Sequence, residues 1–321
     1  MSIYGLKKYG IDVIIFDSSS DNKTEAVVRN FQIDGCTNLK YYRWKGEYDD
    51  FSIDNKVIDA YKIFSVEYEY IWIHKDDFII NPDIAYNAIK DAILQKQDII
   101  VINAKYRDIK NIGNKKYNDV LLLFKEQCMQ MTILGATIIK KDIIMNIIKN
   151  EPLKKEKNYG MWQPIAFFYY FAEKKIIAQS IVDDIWIPNP STSTNKFLSK
   201  NTIKQWGYLW PDLINKLPKY YDKEKSFVLN VQMPDFRPFY AMNLLKLRAI
   251  GGLNLKDIKR YQNNILKIAH TSIYKFYIIS IIPTVFAKYL VKNENGFLIK
   301  FIKAFYYVIC GIVPGEKEIL E

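Results

Sequence analysis

Apolar positions in the first half of the chain alternate between two rhythms. The run IDVIIFD (11–17) has the length of a buried strand, and DNKTEAVVRNF follows with Asn22 and Glu25 spaced as polar cap and acid at a helix start. NLKYYRW (38–44) is aromatic and β-prone, while DNKVIDAYKIF (54–64) sets Val57, Ile58, Tyr61 and Phe64 at helical spacing. YEYIWI (68–73) reads as a strand, PDIAYNAIKDAIL (82–94) as a helix with Pro82 near its start, and QDIIVINA (97–104) as a further strand. This succession predicts an α/β fold with a mostly parallel, Rossmann-like sheet flanked by helices. Ligands of such sheets bind beyond the carboxyl ends of the strands, and Asp17 and the His74–Asp77 cluster fall at two of those ends.

The pattern loosens after about residue 110. MTILGATIIKKDIIMNIIK (131–149) reads as a short strand, a glycine turn and a helix, and GMWQPIAFFYYFAEKK (160–175) as an apolar helix with Pro164 in its first turn. STSTNKFLS (191–199) is a polar loop that marks the expected boundary. It divides the chain into an α/β domain over 1–190 and a helical, basic, aromatic region over 191–321.

Composition narrows the field. Three scattered cysteines (Cys36, Cys128, Cys310) exclude a disulfide framework and a CxxC metal site and point to a reducing cytoplasm. Two histidines, His74 and His270, are too few for a His-rich zinc site. The first residues hold no long apolar run of the signal-peptide kind. The net charge is +11, and residues 241–321 carry 12 Lys/Arg against 5 Asp/Glu, so +7 of it lies there. An acidic partner is therefore expected at the C-terminal region. Nucleic acid is disfavoured, because the basic residues are interleaved with long apolar runs and no binding motif is present.

Two of those runs fall short of the ~20 residues that span a bilayer. FYIISIIPTVFA (276–287) is uncharged for 12 residues and AFYYVICGIVP (304–314) for 11. Flanking Lys275, Lys288, Lys292, Lys300 and Lys303, with Tyr and Phe, fit helices lying on an anionic membrane surface. The alternative is a small helical subdomain or an oligomer interface with its lysines in water.

DVIIFDSSSDNKT (12–24) resembles the opening motif of glycosyltransferase family 2, in which a strand ends in an acid and a Ser-Thr-Asp stretch leads into a helix. About fifty residues later that family has a strand ending in Asp-x-Asp-Asp, and YIWIHKDD (70–77) stands at that distance with His74 in place of the first acid. The resemblance covers roughly residues 1–180. It implies a GT-A-like fold that binds a nucleotide-sugar, with Asp17 and Ser19 at the uracil end and Lys56 reaching the diphosphate. Asp76 would ligate Mn2+ or Mg2+, with Asp77 in support, and His74 would be either a further ligand or a neutral replacement that weakens metal binding. A hard cation there neutralises the charge that develops on the leaving diphosphate.

Three departures from the family pattern accompany the resemblance. The family's first strand is expected to be lacking, since SIYGLKKYG already resembles the helix that follows it. The family's general base is a Glu-Asp pair at a helix start, where this chain reads YGMWQPIA with Gln163 and no acid. That leaves Glu173, Asp183 and Asp184 as nearby carboxylates, with Asp183 and Asp184 as the base candidates. The Gln-x-x-Arg-Trp pattern of processive synthases is also missing, which favours addition of one sugar.

The expected activity is inverting transfer of a single sugar from a UDP-sugar to a lipid- or protein-linked glycan, at the inner membrane face, in bacterial surface-glycan assembly. The alternatives are a catalytically inactive glycosyltransferase-like subunit that stabilises or targets a partner, and nucleotidyl transfer, which would want a glycine-rich basic loop that is not visible here.

Overall fold

The computed structural model describes residues 2–46, 52–75, 78–103, 112–150, 162–188, 198–230, 239–269 and 271–293. Asp76, Asp77, His270, Cys310, most of the 191–199 loop and the 304–314 run lie outside them. The chain divides into two compact units, Met1–Thr192 with Lys216–Val228, and Ser193–Asn215 with Leu229–Glu321.

The first unit is α/β. Helix α1 (Ser2–Lys7) is its first described element, followed by β1 (Val13–Asp17), α2 (Lys23–Ile33), β2 (Leu39–Arg43), α3 (Ser52–Phe64) and β3 (Tyr70–Trp72). Then come β4 (Phe78–Ile80), α4 (Pro82–Leu94), β5 (Ile99–Asn103), β6 (Lys115–Tyr117), α5 (Val120–Gln127), β7 (Thr137–Lys140), α6 (Lys141–Asn150), α7 (Trp162–Phe171), β8 (Ala178–Val182) and β9 (Trp186–Pro188). Helix α4 begins where its sequence says it must: the Asn81 side chain accepts from the Ile84 amide, and Pro82 occupies the first turn, where its missing N–H costs nothing.

The flanking helices match the pattern, but the pairing is more mixed than the expected mostly parallel sheet. The central order is β3-β7-β5-β8-β6. There β5–β8 is parallel, whereas β3–β7, β5–β7 and β6–β8 are antiparallel. Strands β1 and β2 form a separate parallel pair and β4 and β9 an antiparallel one. Short three-residue strands such as β4, β6 and β9 leave no periodicity to read.

The 131–149 stretch also differs from expectation. Its first part is a 3-10 turn (Gln130–Thr132), Gly135 follows, and the strand β7 comes after the glycine, running straight into α6. Residues 99–102 of β5 are all fully buried, and Ile100 and Ile102 pack with Ala85, Ile89, Ala92, Ile138 and Trp186.

Starts and ends of strands sort to opposite sides. Asp12, Lys40 and Tyr68, just before or at the starts of β1, β2 and β3, form one network. The Tyr68 hydroxyl donates to Asp12 (2.8 Å), and the Lys40 ammonium reaches Tyr68 (2.6 Å) and Asp12 (3.0 Å). With the starts tied together, the carboxyl ends of the three strands lie on the other side. Strand β3 is antiparallel to β7, which is antiparallel to β5, so β3, β5 and β8 also end at one edge.

The returning segment 216–228 belongs to this unit. Its 3-10 turn (Lys219–Tyr221) and α10 (Asp222–Leu229) bring Tyr221 against Phe124 and Phe168, where its hydroxyl donates to the Phe168 carbonyl (2.7 Å).

The second unit is helical. Short α8 (Thr202–Lys204) and α9 (Trp210–Lys216) flank a π-turn (Gln205–Leu209), and α11 (Ala241–Ala249), α12 (Leu255–Ile268), α13 (Ile273–Ile281) and α14 (Thr284–Lys292) follow. Asn254 caps α12, accepting from the Asp257 amide while its own amide donates to the Asp257 carboxylate. The buried face of α12 is Ile258, Tyr261, Ile265 and Ile268, with Tyr261 stacked on Tyr208 at 4.9 Å. Gly207 permits the close approach, since a Cβ there would lie 3.1 Å from Ile265.

Candidate functional site

The carboxyl end of β1 is a buried carboxylate with its loop wrapped around it. Asp17 is 9% exposed. Its Oδ1 accepts from the Ser19 amide (2.8 Å), and Oδ2 from the Ser19 hydroxyl (2.7 Å) and the Tyr41 hydroxyl (2.8 Å). A carboxylate offers about four acceptor positions, so among the described residues one position on Oδ1 is left open. Burial alone would raise the Asp17 pKa, but the Ser19 and Tyr41 hydrogen bonds and the Arg43 charge override it and hold the carboxyl below its usual range.

Tyr41 and Arg43 sit two apart on β2 and so share a face. Both reach across the parallel register to β1. Arg43 lies 3.8 Å from Asp17 and donates to the Ser19 carbonyl (2.6 Å), the Asp21 carbonyl (2.7 Å) and Asn22 Oδ1 (3.0 Å). Asn22 therefore leads into α2 without capping it by its side chain, and Glu25 pairs with Arg29 and Arg43 instead of closing the expected box.

Helix α3 completes this end. The Trp44 indole donates to Asp59 (3.0 Å), holding α3 against the end of β2, and Lys56 one turn earlier donates to the Ser18 hydroxyl (3.0 Å) and lies over the Phe16 ring. Lys56, 38 residues beyond Ser18, is thus brought to the strand end that holds Asp17 and Ser19.

At the end of β3, His74 is caged by Trp72, Phe78 and Trp186, ring centroids 5.4, 6.1 and 5.7 Å away. Its Nδ1 meets the Lys75 carbonyl at 2.6 Å. A carbonyl only accepts, so Nδ1 carries the proton and Nε2 is the lone-pair nitrogen. Nε2 is buried with no hydrogen-bond partner among the described residues and faces Gly135, where an added Cβ would stand 3.2 Å from it. Burial pushes the His74 pKa down against the opposing Lys75 hydrogen bond, which keeps the ring neutral.

The base candidates reach the same edge. Asp183 follows β8, its amide donating to the Asn103 carbonyl at the end of β5 (3.1 Å) and its Oδ1 accepting from the Asp184 amide (2.8 Å). Two residues beyond Asp184, Trp186 packs on both His74 and Phe78, which flank the 75–77 stretch. Glu173 is different: it is exposed just after α7, on the amino-terminal side of β8, away from this edge. Gln163 is buried and accepts from the Tyr61 hydroxyl (3.0 Å), a core pairing.

No protein-family model matches the chain, and no curated protein matches it in sequence. Solved structures do. The crystal structure of S. aureus TarS 1–349 aligns with TM-score 0.48 and 12% identity, over 87% of this chain and 84% of that one. The same fragment in complex with UDP-GlcNAc gives TM-score 0.47 and 12% identity over the same shares. For the S. aureus TarS crystal structure that is not limited to 1–349 the values are 0.47 and 10%, with 87% of this chain and 51% of that chain covered. Similarity of this degree transfers no residue role.

Among the described residues no group of three His, Cys, Asp or Glu side chains converges. His74 offers one neutral nitrogen turned into an aromatic cage. The described side chains do not make a metal centre.

What the first edge can do is clearer. It offers one open carboxylate acceptor at the bottom of a braced loop and a lysine ammonium at its mouth, which suits a ring N–H and a phosphate. Sequence reading missed Tyr41 and Arg43. Their alternation on β2 was legible, but their roles require knowing that β2 pairs with β1 in parallel at Asp17↔Arg43.

Proposed function

We propose that this chain is a glycosyltransferase that takes a UDP-sugar and adds a single sugar to a lipid- or protein-linked glycan of a bacterial surface, with inversion. The observation that carries the reading is the end of β1, where Asp17, Ser19 and Lys56 meet around a loop locked by Arg43. The open position on Asp17 Oδ1 takes the uracil N–H, and Lys56 supplies positive charge to the diphosphate. The acceptor hydroxyl oxygen attacks the anomeric carbon, the bond to the diphosphate breaks, and the hydroxyl proton passes to Asp183. Asp76 and Asp77, assigned from the sequence pattern alone, are the carboxylates that would hold Mn2+ or Mg2+.

Calorimetric titration of UDP, GDP and CMP, with and without Mn2+, tests this on the intact protein, Lys56→Ala and Asp76→Ala. UDP is expected to bind best, and both variants to bind it at least tenfold more weakly. Folded protein that binds no nucleotide would end the proposal.

One observation favours a second reading, an inactive subunit of the same fold. Gln163, at the family's base position, is committed to Tyr61 in the core and cannot take a proton. UDP binding without UDP release from any UDP-sugar, in the presence of acceptor, would select that reading.

A further inference from the structure

The sharpest unexplained surface of the helical unit is the corner between α13 and α14. The two helices meet at 106° across Ile282–Pro283. Pro283 has no N–H to continue α13, and Arg248 of α11 donates to the Ile282 carbonyl (2.6 Å) and the Leu253 carbonyl (3.1 Å), fixing the turn from below. The inner faces are packed: Ala287 and Leu290 meet Leu245 and Ala249, and Phe276 is fully buried.

The outer face is apolar and wet. Val285 is 81% exposed, Ile281 65% and Ile278 61%, and Tyr274, Phe286 and Tyr289 are exposed beside them. Residues 271–293 contain three lysines (Lys275, Lys288 and Lys292) and no acid, and Lys288 and Lys292 are exposed.

We propose that this corner is a docking wedge for an anionic lipid surface, inserting Ile278, Ile281 and Val285 to the depth of the acyl boundary. Charge decides the occupant. Two copies of this face would set the exposed Lys288 and Lys292 against the same pair, whereas lipid phosphates neutralise them. Tyrosines beside the apolar tip match the headgroup level, where an aromatic ring with a polar end is stable. A nine-residue helix is about 14 Å long, well short of the ~30 Å hydrocarbon core, and a 106° bend cannot make a straight span, so the wedge lies in one leaflet. The inference is independent of the nucleotide reading.

The test is co-sedimentation of the full chain with vesicles of phosphatidylcholine alone or with about one-third phosphatidylglycerol. Binding is expected at least about tenfold tighter to the anionic vesicles, and released by alkaline carbonate. Ile281→Asp with Val285→Asp should weaken it tenfold or more. Lys288→Glu with Lys292→Glu should weaken it about fivefold per lysine at low salt, with the difference shrinking at high salt. Circular dichroism and urea melts of both double variants report the fold. Three results would overturn the proposal: no vesicle binding by the unaltered protein, equal binding by folded Ile281→Asp/Val285→Asp, or resistance to carbonate. A dimer that the same double substitution dissociates would give the face to a second copy and overturn it too.

Discussion

Arg43 lies directly opposite Asp17 in the β1–β2 register, yet its guanidinium serves the loop more than the carboxylate. It sits 3.8 Å from Asp17 but 2.6 and 2.7 Å from the carbonyls of Ser19 and Asp21. Charge-assisted bonds of this kind fix the 18–22 backbone, and with it the one acceptor position that Asp17 leaves open.

Arg43→Ala is therefore expected to destabilise the protein by about 2 kcal/mol and to weaken UDP binding at least tenfold. Arg43→Lys should recover little of either, because a compact ammonium lacks the planar spread by which Nη1 reaches two carbonyls while Nη2 reaches Asn22. Urea melts and calorimetry measure the two effects. Unchanged UDP affinity in a destabilised variant would separate the loop from the nucleotide.

Asp17 also sets an acid limb. Its folded pKa lies below its unfolded value of about 3.9, so the unfolded chain takes up the proton first. The stability it contributes is complete above the unfolded value and is lost as pH falls through the lower folded one. Asp17→Asn is expected to lower stability at neutral pH and to flatten the dependence below about pH 4. Urea midpoints for both proteins across that range decide it; parallel curves would mean that another carboxyl sets the limb.

Much of this arrangement was written locally. Helix α4 could be bounded from Asn81 and Pro82, and β1 from its apolar run, because caps and burial act over a few residues. The departures are long-range. The Asn22–Glu25 box reads well in sequence, but Arg43, 21 residues from Asn22 and 18 from Glu25, takes both side chains. The order of elements at 131–149 departs from its local pattern because Gly135 gives clearance to Trp186 and His74, which no local pattern encodes. Tyr41 and Arg43 entered the site only once the parallel register was known.

That clearance is testable. Gly135 has φ +107, and a Cβ there would come within 2.7 Å of the Trp186 ring and 3.0 Å of His74. Gly135→Ala is expected to cost about 2–4 kcal/mol, from backbone strain and overpacking together. A thermal or urea melt within a few tenths of the unaltered protein would show that the cage has room to yield.

The Tyr61–Gln163 pair spans 102 residues and joins α3 to α7. Tyr61→Phe leaves the Gln163 carbonyl buried without its donor and should cost about 1–3 kcal/mol. Gln163→Glu, which restores the acid that the family pattern carries, is expected to destabilise further and to add no turnover. Its side chain lies in the core among buried neighbours, where a carboxylate is unfavourable. A gain in turnover would reinstate this helix start as the base position.

In the proposed mechanism the base then falls to the end of β8. Asp183 and Asp184 are adjacent but not equivalent. Asp183 is half-buried, its amide tied to the carbonyl of Asn103 and its carboxylate to the amide of Asp184, whereas the Asp184 side chain is exposed. A base must be held at a fixed place, and the half-burial of Asp183, its backbone tie to the end of β5 and the Asp184 amide on its Oδ1 favour it for that role. Asp183→Asn is expected to cut sugar transfer about 100-fold or more while leaving UDP affinity unchanged, since asparagine keeps the shape and cannot take the proton. The loss should fall on turnover and not on UDP affinity, a split that a merely structural role would not produce. Asp184→Asn is expected to stay within a few-fold of the unaltered protein, because its side chain is exposed to solvent. Steady-state transfer measured across pH with each variant makes the comparison, and full activity in Asp183→Asn would move the base off this edge altogether.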